Sequence, residues 1–199
     1  LSLDRPRRVL HLLKLKTPEV VITVGGTNGK GTTVSMIEAT YRSSGYKVGC
    51  YTSPHLISYC ERIRVSGLDV NPELLCEAFS AVDNARGSIP LTYFEFGTLA
   101  AFYIFSHLRI DVAILEVGMG GRLDAVNLLN PDLAILCTID IDHQAWLGST
   151  REKIGAEKAG IFRYRGKVVI ADPDPPSSVI SRLAILRCEA QQHHKNFEV

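Results

Sequence analysis

Gly25-Gly26-Thr27-Asn28-Gly29-Lys30-Gly31-Thr32 follows the apolar run Val20-Val21-Ile22-Thr23-Val24 and precedes a stretch with helical character. A strand, a glycine-rich turn and a helix start, in that order, make a phosphate cradle. Glycines at 25, 26, 29 and 31 let backbone N–H groups approach phosphate oxygens with no Cβ in the way. Lys30 then reaches the β- and γ-phosphates, and Thr32 and Thr33 bring hydroxyls to the helix start, where the dipole favours anions. Thr27, Asn28, Gly29, Lys30, Gly31 and Thr32 are therefore the expected phosphate contacts. The strict pattern G-x-x-x-x-G-K-[ST] departs twice here, with Val24 in place of its first glycine and Gly31 in place of its hydroxyl.

The rest of the chain fits around that cradle. At 199 residues and 46% hydrophobic it can bury one substantial core. A net charge of +1 gives no reason to expect nucleic acid or an anionic membrane as partner. Cys50, Cys60, Cys76, Cys137 and Cys188 are odd in number and contain no C-x-x-C pair, so neither a disulfide framework nor a zinc site is expected. No charged-then-apolar leader opens the chain and no apolar run has bilayer length, so a soluble, cytoplasmic monomer is expected.

Residues 1–18 read as a short amphipathic helix ending at Thr17-Pro18, and residues 19–199 as the ATP-binding domain. Val20–Val24, Val48–Tyr51, Val112–Val117, Leu133–Ile139 and Val168–Ala171 read as buried parallel strands. Thr33–Ser43, Pro72–Val82 and Phe94–Leu108 read as helices between them. This alternation predicts an α/β fold, a mostly parallel sheet with helices on both faces. Ligands in such folds collect at the carboxyl ends of strands. Ser53, Glu116 with the glycines after it, and Asp140, Asp142 and His143 all fall there. Arg62 and Arg64 fit either steering of an anionic substrate or simple solvation on a loop and stay unassigned, Trp146 reads as a packing anchor, and Arg187–Val199 as a polar tail with no closing element.

The cradle, Ser53-Pro54-His55-Leu56, Glu61-Arg62-Ile63-Arg64, Leu115-Glu116-Val117-Gly118, Gly121-Arg122-Leu123-Asp124, Asp142-His143 and Glu157-Lys158-Ala159-Gly160-Ile161-Phe162 stand in order. Together, from about Val20 to about Pro173, they resemble the bacterial bifunctional folylpolyglutamate synthase and dihydrofolate synthase family of the Mur ligase superfamily. The resemblance implies a P-loop NTPase-like Mur ligase central domain and an ATP-dependent amide ligase. Such an enzyme adds L-glutamate to dihydropteroate or folates through an acyl phosphate. It implies Mg2+ held by Ser53, Glu116 and His143, although hardness alone would not choose a histidine for magnesium. It implies catalytic roles for Lys30, Lys158 and His143, with Lys158 carbamylated by carbon dioxide. It places Asp124, Ala125, Thr92 and Phe94 against the pterin, Asp124 as acceptor for the amino-pyrimidine edge and Phe94 as an apolar wall.

Members of that family are about twice as long, so a carboxy-terminal ligase domain is expected to be absent from this chain, and ligase turnover by it alone is expected to be very weak. Three other readings stay open on the sequence. They are a kinase-like P-loop NTPase, a non-catalytic nucleotide or folate binder, and a cell-wall Mur ligase.

Overall fold

The central strand β1 (Val20–Gly25) forms from the apolar run, and the glycine loop turns from it into α2 (Lys30–Ser43). The structure is a computed structural model that describes residues 2–142 and 147–198. Preceding β1 is α1 (Asp4–Leu13), whose Val9 is fully buried in the main core. After α2 come β2 (Val48–Tyr51), β3 (Ile63–Val65), β4 (Leu68–Asp69), α3 (Pro72–Arg86), α4 (Tyr93–His107) and β5 (Val112–Glu116). The chain continues through β6 (Leu133–Leu136), α5 (Arg151–Lys158), β7 (Lys167–Ile170), α6 (Ser177–Leu186) and β8 (Glu189–Gln192).

The strands form one sheet in the order β4-β3-β2-β5-β1-β6-β7-β8. From β2 to β8 every neighbouring pair is parallel, with β1 paired to both β5 and β6, while β3 and β4 add an antiparallel edge. Alternation along the strands divides the core. Val21, Ala113 and Leu115 face the larger cluster with α1, α3, α4, α5 and α6, whereas Ile22, Val24 and Ile114 face Val34, Ile37 and Tyr41 of α2. The expected α/β architecture, with helices on both faces, is the one observed.

Two expected strands are shorter than their apolar runs. β6 ends at Leu136 because the next residues leave the sheet to hold the phosphate loop. Cys137 N donates to Gly25 O at 2.8 Å and Thr27 N donates to Thr138 O at 2.7 Å. β5 ends at Glu116, whose side chain faces the site.

The tail needs correction. Residues 189–192 form β8, paired in parallel with β7 from Lys167↔Glu189 to Ile170↔Gln192. Its alternately exposed Glu-Ala-Gln-Gln sequence lies at a sheet edge and so carries no apolar signal. The β3–β4 hairpin was equally silent. It turns at Ser66-Gly67, with φ of 49° and 83°, on three-residue and two-residue strands.

Candidate active site

The carboxyl ends of β1, β2, β5 and β6 lie along one edge of the sheet because these strands are mutually parallel. At the end of β1, Gly26 has φ +145° and a Cβ there would lie 2.7 Å from Cys137 Cβ, so only glycine brings the loop this close to β6. Thr27 fastens the same turn, its hydroxyl donating to Asp140 O and accepting from Asp140 N, both at 3.1 Å. Its side chain is spent on the loop, and so is its N–H, which donates to Thr138 O. Gly29, at φ +84°, caps α2 without a side-chain acceptor, so the first N–H groups of the helix stay open to an anion. Thr33 donates to Gly29 O at 2.9 Å, while Gly31 and Thr32 remain exposed on the first turn.

Lys30 bends back over this loop and donates to Gly26 O and Thr27 O, each at 3.0 Å. Lys158, at the end of α5, reaches the same Gly26 carbonyl at 3.0 Å. It is buried, and desolvation with the nearby Lys30 charge pushes its amine down to about 8, against an opposing pull from Asp142. The neighbouring segment fixes its backbone. A Cβ at Gly121 would lie 2.8 Å from Lys158 O, Arg122 N donates to Glu157 O at 3.0 Å, and the Arg122 guanidinium pairs with the Glu157 carboxylate at 2.9 Å.

Glu116 ends β5 with its carboxylate buried, accepting from Ser53 N at 3.2 Å. Burial raises its pKa, opposed by that hydrogen bond and by the Lys30 and Arg64 charges. A buried carboxylate beside a serine is a hard oxygen donor pair that suits Mg2+, an ion that completes its shell with phosphate oxygens and water. Among the described residues no group of three or more His, Cys, Asp or Glu could hold a metal alone. His143 and Trp146 lie outside the described residues.

A cavity of about 510 Å³ is lined by Lys30, Ser53, Pro54, Arg62, Thr92, Tyr93, Phe94, Glu95, Gly118, Met119, Leu123, Asp124 and Ala125. All four residues expected at the pterin line it. Thr92 caps α4 in a box with Glu95, accepting from Glu95 N at 3.2 Å while Glu95 Oε2 accepts from Thr92 N at 2.7 Å. Phe94 lies over Gly118, where a Cβ would come within 2.7 Å of its ring. Asp124 accepts from Met119 N at 2.9 Å and Val126 N at 3.0 Å, and also from Gly118 N. Burial nevertheless lifts its carboxyl to about 6. A carboxylate offers about four lone-pair sites, so these bonds leave acceptor capacity for a ligand.

Arg62, left unassigned on the sequence, is buried and lines the cavity. Arg64, on β3, pairs with Glu38 of α2 at 3.0 Å. Glu95 was not singled out in the sequence, although Thr92-x-x-Glu95 before an apolar run is itself a capping-box signal.

Residues 24–190 match the Mur ligase middle domain. The dihydrofolate synthase/folylpolyglutamate synthase of Escherichia coli (strain K12) is 49% identical over 165 residues, covering 83% of this chain and 39% of that protein. The solved E. coli FolC in complex with DHPP and ADP superposes with TM-score 0.96 at 44% identity, over 98% of this chain and 47% of that one. A bifunctional folylpolyglutamate synthase/dihydrofolate synthase with Mn, AMPPNP and L-glutamate bound superposes with TM-score 0.94 at 44% identity, over 98% and 48%. The chain thus spans about two fifths of the length of the curated relatives it matches. With its phosphate loop, sheet order and strand-end carboxylate in this arrangement, the chain belongs to the Mur ligase middle-domain family.

Proposed function

We propose that this chain is the ATP- and folate-binding part of an ATP-dependent ligase that joins L-glutamate to dihydropteroate, to folylpolyglutamate, or to both. The observation that carries the reading is one cavity lined both by Lys30 of the phosphate loop and by Asp124 and Phe94. A carboxylate does not condense with an amine at neutral pH because oxide is a poor leaving group. In the proposed reaction a substrate carboxylate oxygen attacks the γ-phosphorus of ATP and ADP leaves, giving an acyl phosphate. The glutamate amine then attacks the acyl carbon, phosphate leaves, and the amine loses its proton.

Lys30 and the open N–H groups of α2 hold the phosphates and stabilise charge on the transferring phosphoryl group. Ser53 and Glu116, with His143, hold the Mg2+, which when bound neutralises phosphate charge. Asp124 accepts the amino-pyrimidine edge, and Phe94 with Ala125 and Thr92 forms the wall beside it. Lys158 is proposed to be carbamylated: its neutral amine adds to carbon dioxide and releases a proton, leaving an anionic oxygen ligand. The depressed amine favours that reaction by supplying the neutral form. Relatives crystallised with ADP and DHPP, and with Mn, AMPPNP and L-glutamate, support the ligand set.

Residues 19–199 are proposed as the ATP-binding unit, with 1–18 as an accessory helical segment, in a cytoplasmic monomer. No helix among the described residues is long and apolar enough to cross a membrane. Equilibrium dialysis with dihydropteroate and with a UDP-muramoyl peptide tests the substrate class. Saturable binding of dihydropteroate alone is expected, and preference for the muramoyl peptide overturns the reading.

A further inference from the structure

Two cations line the cavity among the described residues, Lys30 and Arg62. Lys30 belongs to the phosphate loop. Arg62 stands apart from it, and its surroundings fix it in one pose. Its guanidinium carbon lies 5.3 Å from the centroid of the Tyr59 ring and 5.5 Å from that of Tyr93, and Nε donates to His55 Nδ1 at 2.8 Å. The Tyr59 platform is itself held. Its hydroxyl bonds Tyr51, sits where a Gly97 side chain would have to be, and its ring meets Phe79 and Tyr93 edge-on. The backbone is pinned as well, because Thr52 N donates to Arg62 O at 2.8 Å, next to Ser53.

This arrangement sets the guanidinium against the two rings and commits its Nε. The terminal Nη atoms make no hydrogen bond to a described residue, and they belong to a side chain lining the cavity. A stacked, tethered arginine with a free fork matches a carboxylate bidentately and loses little freedom in doing so. The two acidic side chains of the cavity wall, Glu95 and Asp124, both have other partners. Glu95 is committed to the Thr92 amide and to Arg5 of α1.

We infer that Arg62 binds a spectator carboxylate of the substrate, the α-carboxylate of a glutamyl residue attached to the pteroyl group. The carboxylate that must attack ATP is a poor candidate. Two charge-assisted hydrogen bonds would hold its electron pairs and lower its nucleophilicity. A pteroate-type substrate has only that reacting carboxylate, whereas a pteroylglutamate carries an additional one. Arg62 therefore favours glutamyl-bearing substrates over pteroate itself, and the inference rests on the folate reading above.

Titrations of folic acid and of pteroate into the 199-residue chain and into Arg62→Gln and Arg62→Lys test this, with circular dichroism confirming the fold. Arg62→Gln is expected to weaken folic acid about tenfold or more, the usual worth of charge-assisted hydrogen bonds, while pteroate stays within about twofold. Arg62→Lys, which keeps the charge but not the fork, is expected to fall between. Equal losses on both ligands assign Arg62 a structural role and overturn the inference, as does an unchanged affinity for folic acid. If the unsubstituted chain binds neither ligand, the folate reading falls and the inference with it. If it binds both and only the arginine effect is missing, the folate reading stands alone.

Discussion

Lys30 and Lys158 donate to one oxygen, the carbonyl of Gly26, each at 3.0 Å. Lys30 arrives from the first residue of α2 and Lys158 from the last residue of α5, so the phosphate loop is gripped by helices separated by most of the chain. Two ammonium groups on one acceptor oppose each other, and burial together with that opposition lowers the proton affinity of Lys158.

That opposition gives a stability signature. The Lys158 amine titrates near 8 in the folded chain against 10.5 for the ordinary group. Between those values the unfolded chain binds more protons, so stability rises with pH across the window, and below it the penalty is present in full. A shift of this size corresponds to on the order of 3 kcal/mol. Urea unfolding of Lys158→Met is expected to lose that rise. A pH slope identical to that of the parent chain would show that Lys158 is not the group responsible.

Gly118 is expected to control the pterin end alone. Its Cβ would meet the Phe94 ring at 2.7 Å, and overpacking of this kind costs about 1–3 kcal/mol. Gly118→Ala should therefore weaken pteroate about tenfold and leave ATP affinity unchanged, both read by calorimetric titration. A parallel loss of ATP would mean that the substitution disturbs the strand end rather than the ring.

Asp124 should make pteroate binding sensitive to mild acid. Its carboxyl is raised by burial from 3.8 to about 6, so its acceptor form is lost as pH falls through about 6, well above the ordinary range. Fluorescence titrations are expected to show affinity falling with a midpoint near that value. Asp124→Ala should bind weakly at every pH and show no such midpoint.

Arg64 compensates a buried charge. It pairs with Glu38 at 3.0 Å, yet Glu38 Oε1 is buried without a hydrogen-bond partner, so this carboxylate depends on the arginine. Breaking a buried pair costs about 3–5 kcal/mol. Arg64→Met should lower the unfolding free energy by roughly 3 kcal/mol, and adding Glu38→Gln should restore part of it. Additive losses in the double variant would rule out the coupling.

These contacts also explain what the sequence could reveal. The glycine loop, β1 and the helix after it were legible because each follows from local chemistry: apolar runs, a turn only glycine tolerates, and a helix N-terminus. That Asp124, Phe94, Thr92 and Ala125 share one cavity could be anticipated only through a family resemblance, since nothing local distinguishes the Asp124 cap from any other turn carboxylate. Arg62 stayed unassigned because the rings it packs on include Tyr93 of α4, distant in sequence. Arg64 stayed unassigned for the same reason: its partner Glu38 lies 26 residues away. β8 was invisible because an edge strand exposing alternate residues has no apolar pattern, and the parallel pairing that makes it a strand is long-range.

The central claim is that the loop at 25–32 holds ATP beside a folate cavity in one site. Calorimetric titration of Mg2+·ATP into the chain and into Lys30→Ala, with pteroate affinity measured on the same samples, tests it most directly. The account predicts that Lys30→Ala loses ATP affinity by about tenfold or more, as expected for a lost charge-assisted contact, while pteroate affinity is retained. Equal ATP affinity in the two chains would contradict it.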